Sequence, residues 1–255
     1  MKKILLWSLG GLFVCGVVGV LVLTYFLGGI VKAGVNSFGP KLTQTKVVLE
    51  GASLSPISGS GTLTGLTVSN PPGWKNDQAF SLGTIRLTVA PFSLFGDHII
   101  INELTIDQPV FDYETKFTEN NVSQLLGNVQ KFAGSGSATP TTSSGKPVKF
   151  EIKKFRLTNA KVSVGVAGLA AVTVPMPDIS LDNVGSDQGG ITPDQLAGVV
   201  MKNVSASVIV AGKDAVLKAG TAVLSGATDV GKGATDAAKN AASGLKSLFG
   251  GSGSK

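Results

Sequence analysis

Residues Ile4 to Val31 form 28 consecutive positions without a charge, mostly Leu, Val, Gly and Phe. Lys2 and Lys3 precede the run and Lys32 closes it. A helix needs about 20 apolar residues to cross the hydrocarbon core of a bilayer, and the surplus leaves room for tilt. A cleaved secretory signal has a shorter apolar region and ends at small residues. Lys32-Ala33-Gly34 is a poor cleavage context, and Val14 before Cys15 is a poor lipoprotein site. The run therefore predicts an uncleaved anchor over residues 1–33. Lys2 and Lys3 predict a cytoplasmic N-terminus, which places the body on the outer side of the membrane.

The rest of the chain is long enough for one sizeable core or two small ones. A net charge of +6 and a pI near 9.4 suit an anionic membrane surface. Arg occurs only at Arg86 and Arg156, so no basic stripe interleaved with aromatics predicts nucleic-acid binding. Cys15 and His98 are the single cysteine and the single histidine. A Cys/His metal site or a Cys–His nucleophile pair in the body is excluded by count. His98 lies in Asp97-His98-Ile99-Ile100 and reads as a turn residue rather than a triad member. There is no phosphate-binding Gly-rich loop. Asp178, Asp182 and Asp187 lack the spacing of a calcium loop. The expectation is a non-enzyme with no cofactor.

From Lys41 to Tyr113 the chain reads as short strands. Apolar residues alternate at Leu66 and Val68, at Leu87 and Val89, and at Leu104 and Ile106. Period two places each set on one face of a sheet. The phase slips from Phe80 and Leu82 to Ile85 and Leu87, which predicts a β-bulge at Gly83 and a curved sheet. The strands also repeat. Residues Ile101 to Phe111 align with Ile152 to Val162, and shorter matches occur at Leu66–Pro71 and Ile179–Val184. Each copy carries an amide, at Asn70, Gln108, Asn159 and Asn183. Repetition of this kind predicts a sheet extended along one axis. A helix is predicted over Asn120–Ala133, where Val122, Leu125, Leu126, Val129 and Phe132 share helical spacing. A Gly/Ser/Thr-rich linker follows, within residues 134–147.

Thr192-Pro193-Asp194-Gln195 is a helix start. Beyond it, residues 191–250 read as an amphipathic tail. Leu217, Leu224, Leu245 and Phe249 share its apolar arc, opposite the arc of Asp214, Lys218 and Lys239. Its glycines make that helix marginal in water, so a membrane interface or the protein's own sheet is the expected partner.

Three segments carry a family resemblance. They are Gly61-Thr62-Leu63-Thr64-Gly65-Leu66-Thr67-Val68-Ser69-Asn70-Pro71-Pro72-Gly73-Trp74, then Ala79 to Gly83, then Ile99 to Pro109. Together with the N-terminal anchor they resemble the N-terminal portion of AsmA-like proteins. The resemblance implies a bacterial inner-membrane anchor and a periplasmic β-sheet curled into an apolar groove. It also implies a part in lipid transport or in outer-membrane assembly and integrity.

The predicted fold is thus mainly β with α: an N-terminal transmembrane helix, a curved antiparallel sheet over residues 40–190, and the helical tail. Ten strands about 4.8 Å apart would span about 50 Å. The candidate groove residues are Leu66, Val68, Leu87, Val89, Leu104 and Ile106. The expected partners are the lipid bilayer, a phospholipid ligand and envelope proteins of unknown identity. The alternative is a stress-protective or structural envelope scaffold without lipid cargo. For that reading, the Asn-Pro strand ends and the Ala/Gly/Lys/Asp helix resemble desiccation-related proteins.

Overall fold

The computed structural model describes residues 2–116, 119–134, 141, 145–165 and 171–227. The chain opens with helix α1 (Lys2–Thr43), which runs about ten residues past the expected anchor. Its last turns lie along strand β1 (Val47–Leu54), close enough that a side-chain carbon on Gly39 would meet Val47. Asn36 secures the contact. Its amide oxygen accepts from the Leu49 N–H at 2.6 Å, and its amide nitrogen donates to the Leu49 carbonyl at 3.3 Å. A side chain thus stands in for a neighbouring strand and blunts an edge that would otherwise be open. Gln44, at φ 56°, ends the helix with its N–H on the Pro40 carbonyl.

Strands β2 (Ser60–Ser69) and β3 (Gln78–Val89) continue β1 as an antiparallel meander. A 3-10 turn at Pro91–Phe95 leads to β4 (His98–Asp107) and β5 (Val110–Lys116). After the two-residue β6 (Glu119–Asn120) comes α2 (Asn121–Gly134). Then follow β7 (Lys149–Thr158), β8 (Lys161–Gly165), β9 (Val172–Pro175) and β10 (Ile179–Val184). Helix α3 (Pro193–Ala227) is the last described element.

The sheet is mixed, which corrects the antiparallel expectation. β4 runs parallel to β7, and β5 runs parallel to β8. The repeat explains why. Ile101 faces Ile152, Ile106 faces Leu157 and Phe111 faces Val162, a constant offset of 51 residues. That offset is the one at which the sequence matches itself. Two copies with the same apolar spacing bury the same face when laid side by side in the same direction.

The registers also show that the ten strands make fewer tracks. β4 and β5 lie end to end beside β3, β7 and β8 lie end to end beside them, and β10 and β9 complete the outer track. The sheet is therefore six tracks wide, about 24 Å across rather than about 50 Å.

Each track bends at the same level. The registers place Glu50 opposite Gly65, Gly65 opposite Gly83, Gly83 opposite Gln108, and Gln108 beside Asn159. Pro177, between β9 and β10, faces Asn159. Gly65, Gln108 and Asn159 are in the left-handed region, with φ of 62°, 54° and 54°. The predicted bulge at Gly83 is corrected accordingly. The β2–β3 register does not shift there; its irregularity falls between Val68 and Ser69. The phase slip is shared by the neighbouring tracks and forms a crease across the whole sheet. Leu82 and Ile85, on the two sides of it, are both buried in one core.

Two of the four repeated amides, Gln108 and Asn159, lie on this crease. Gln108, Asn159 and Asn183 all have positive φ, while Asn70 does not. The Asn159 amide donates to the Asp107 carboxylate at 2.7 Å, and Thr158 Oγ1 donates to the same oxygen at 3.1 Å. The Asn159 bond is the main cause holding the Asp107 carboxyl below its ordinary pKa.

The helices cover the inner face of the crease. α2 begins where Asn120 Oδ1 accepts the Ser123 N–H at 2.8 Å, an N-cap. It buries Val122, Leu125 and Val129 as its spacing predicted. Phe132 meets Phe38 of α1 edge to face at 5.5 Å. α3 starts at Pro193 as expected, with Gln195 Oε1 accepting the Thr192 N–H at 3.1 Å. It buries Val204, Val208, Ala211, Ala215 and Val216 in the core shared with the sheet. Gly212 sits directly on the Tyr113 ring, where any side chain would collide. The stretch Pro193–Lys218 has the length and apolarity of a membrane span; one side of it packs in this core, while Val199 and Val210 on it stay exposed. Leu217 is 46% exposed. The Leu224 side chain, Leu245 and Phe249 lie outside the described residues, as do most of the predicted linker positions.

Candidate functional site

A cavity of about 520 Å³ lies between α1, the sheet and the start of α3. Gly34, Val35 and Phe38 form its α1 wall, and Leu87, Val89 and Leu104 form part of its sheet wall. Pro193 and Ala197 of α3 and Leu94 of the 3-10 turn close it. Every lining residue is glycine, proline, alanine or a larger apolar residue. Gly34 and Gly39 on α1 and Ala197 on α3 are the small residues of its lining. A side-chain carbon on Gly34 would meet nothing within 4 Å.

Of the six candidate groove residues, Leu87, Val89 and Leu104 line this cavity. Ile106 is buried beside it in the main core, opposite Ile85. Val68 belongs to a second cluster with Val47, Ala79 and Leu125, and Leu66 packs against both clusters. Alternation along strands had no means of showing the α1 wall, because α1 read only as an anchor. A larger cavity, about 790 Å³, lies between β10 and α3. Its wall mixes Leu181, Val184, Ile191 and Val199 with Gln130, Asp182, Gln188, Gln195 and Lys202, so it lacks the purely apolar lining of the smaller cavity.

The segment Asn70-Pro71-Pro72-Gly73-Trp74 is built on a buried polar node. Asn121 is fully buried, and its amide nitrogen donates to Asn70 Oδ1 at 2.8 Å and to the Asp112 carbonyl at 2.6 Å. Its oxygen accepts the Glu114 N–H at 3.0 Å. The buried Glu114 carboxylate accepts the Lys75 and Asn76 N–H groups at 2.9 and 2.8 Å and the Asn70 amide at 3.2 Å. The loop so held presents Trp74. Its indole N–H donates to Gln124 at 2.7 Å, and Lys116 stands 4.7 Å over its ring while donating to the Gly73 carbonyl. The loop is a structural clasp between β2, β5 and α2. The motif itself is legible in the sequence, whereas Glu114 and Asn121, 44 and 51 residues from Asn70, carry no local signal.

Beside the clasp, Asp112 is half-buried and faces Ser163 across β5 and β8. Burial raises its carboxyl pKa, the Ser163 hydroxyl opposes the shift, and the Glu114 charge adds to it. A raised acid pKa contributes stability that is present below the ordinary carboxylate value and is lost as pH rises through the folded one. Asp112→Asn should therefore raise the melting temperature at neutral pH and remove that part of the acid-side pH dependence. Thermal melts of both proteins from pH 4 to pH 8 measure it. Parallel curves would contradict the assignment.

His98 is the first residue of β4, not a turn residue. Its Nε2 lies 3.3 Å from Glu151, and Ser186 donates to the same carboxylate at 2.8 Å. The serine is bonded to the acid rather than to the imidazole, so these three residues do not form the relay of a nucleophilic serine. Among the described residues no group of three or more His, Cys, Asp or Glu side chains is placed to hold a metal ion.

The fold is thus a creased, mixed β-sheet covered by helices over an apolar cavity, with a long N-terminal helix along its edge. The model of the AsmA family matches residues 1–173, and the chain belongs to that family. The family is not a known enzyme family, and membership fits an envelope-associated protein with a membrane anchor. Neither a search of curated proteins nor a search of solved structures finds a match.

Proposed function

We propose that this chain is a non-enzymatic, membrane-anchored protein of the bacterial cell envelope that takes the acyl chain of a membrane lipid into its apolar cavity. The cavity carries this reading. It has the volume of a small-molecule site, about 300–1,000 Å³ being usual, and its walls offer no polar group to orient anything but hydrocarbon. Its α1 wall is continuous with the uncharged run, so the ligand's source is the bilayer beside it. In this reading α1 anchors the body on the periplasmic face of the inner membrane, and the bound lipid serves transport or outer-membrane integrity.

The test is occupancy. Full-length protein purified in mild detergent should release phospholipid or fatty acid on extraction, read by mass spectrometry. Gly34→Leu and Ala197→Leu each add a branched side chain to the void, and together they should remove most of that lipid without lowering the melting temperature. Equal lipid in the filled variant would sink the proposal. A dry cavity in both proteins would favour the scaffold reading, which the packing of α3 along the inner face also supports. Orientation has its own test. A reporter fused after Lys255 should behave as exported, and cytoplasmic activity of the fusion would reverse the topology.

A further inference from the structure

Three of the most exposed large apolar side chains gather at one end of the sheet. Phe92 is 91% exposed, Phe95 is 74% exposed and Ile57 is 69% exposed. Ile57 lies in the turn between β1 and β2, and the two phenylalanines lie in the 3-10 turn after β3. The two turns touch. The Val89 N–H donates to the Gly59 carbonyl at 2.8 Å, and a side-chain carbon on Gly59 would strike the Val89 carbonyl and Pro91. A folded body seldom leaves such a patch open without a partner for it.

The path of α1 says what the partner is. Gly39 packs on Val47, Asn36 bonds Leu49, and Gly28 abuts Ala52 and Ser53. Going backward along α1 is therefore going forward along β1, so the β1–β2 turn points toward the uncharged N-terminal part of the helix. Twenty residues from Ile4 carry the helix about 30 Å, one hydrocarbon thickness. That leaves residues 24–27, about 6 Å of helix, before the Gly28 contact. Ile57 lies past Ser53, about 7–10 Å farther toward the same side at strand rise. The apolar patch thus falls at the level where α1 enters the bilayer. Val18 and Val22, on α1 beyond that level, are 52% and 47% exposed.

We propose that Ile57, Phe92 and Phe95 form an apolar rim that enters the boundary between headgroups and acyl chains beside α1. Aromatic side chains favour that depth, and about 5–10 Å of insertion is what an interfacial element reaches. The inference rests on α1 being the anchor. It adds a second contact with the membrane, one that sets the tilt of the body and faces an end of the cavity toward lipid. Leu94, in the same turn as the phenylalanines, and Leu54, at the end of β1, line the cavity at this end.

The experiment uses full-length protein in liposomes, with Cys15→Ser throughout and single cysteines carrying an environment-sensitive fluorophore. Label positions are 57, 92 and 95 on the rim, 18 on α1, and 75 on the loop at the opposite end of β2 and β3. Lipid carrying a nitroxide near the glycerol should quench the rim labels about three-fold more than the label at 75. Aqueous iodide should quench them correspondingly less. Rim labels as open to iodide as position 75 overturn the proposal. Rim labels shielded from iodide yet untouched by the nitroxide also overturn it, because a protein partner or second copy then covers the patch. Failure at position 18 condemns the anchor reading itself, whereas quenching at 18 without quenching at the rim condemns the rim alone. All three rim side chains are exposed, so relabelling them leaves the core intact, and a melt of each labelled protein confirms it.

Discussion

Asn121→Leu should destabilise the fold by about 3–5 kcal/mol, because the substitution keeps the volume and removes three hydrogen bonds at once. The Glu114 N–H, the Asp112 carbonyl and the Asn70 side chain would all lose a partner in a place water does not reach. A buried polar group left unpaired costs about 1–3 kcal/mol, and relaxation of the clasp offsets part of the sum. The intermediate case is informative. Asn121→Asp keeps an acceptor for the Glu114 N–H but loses both donors and adds charge beside Glu114, so it should be no milder. Urea unfolding of the three proteins reads the difference. A loss below about 1 kcal/mol for Asn121→Leu would mean that the clasp is an ornament of the fold rather than one of its supports.

Phe155→Ala should cost about 3–5 kcal/mol, the range for emptying a large aromatic site in a core. Phe155 is almost wholly buried and sits on β7 beside Leu104 of β4, at the middle of the duplicated pair. The void would open beside the apolar cavity that Leu104 lines. If the two merge, hydrocarbon recovers part of the loss, so the variant should be stabilised by added lipid more than the parent is. Melting with and without a short-chain phospholipid tests this. A loss under about 1.5 kcal/mol would show that the wall collapses onto the gap.

How far these sites could be read from the chain depends on how local their causes are. Alternation at Leu87, Val89 and Leu104 was legible because period two is a property of a single strand. The duplication was legible because in-register parallel strands need the same spacing, although the match could not say that the copies pair side by side. The slip at Gly83 was visible, but one strand alone reads as a bulge; only registers to Gly65 and Gln108 turn it into a crease. The amides at Gln108 and Asn159 stand out in the sequence as a repeated signature, and their positive φ gives the physical reason. What was not legible required distant segments to meet. The Asn70–Glu114–Asn121 clasp joins two loops and a helix. The cavity joins walls from α1, the sheet and the start of α3. The role of residues 34–43 as a cover for β1 was hidden behind the apolar run before them.

The duplicated unit has a consequence for how such a body can change size. A parallel copy presents on its outer edge the same pattern of donors, acceptors and apolar side chains as the edge that received it. The outer edge is therefore again a seat for one more copy, with its bend at the same level. Inserting or deleting a 51-residue unit would lengthen or shorten the trough by one track, about 4.8 Å, without redesign of either neighbour. The width of this protein is in that sense a copy number, and it is stepped sideways, away from α1, because the strands run alongside that helix while the edge that carries α1 stays the same.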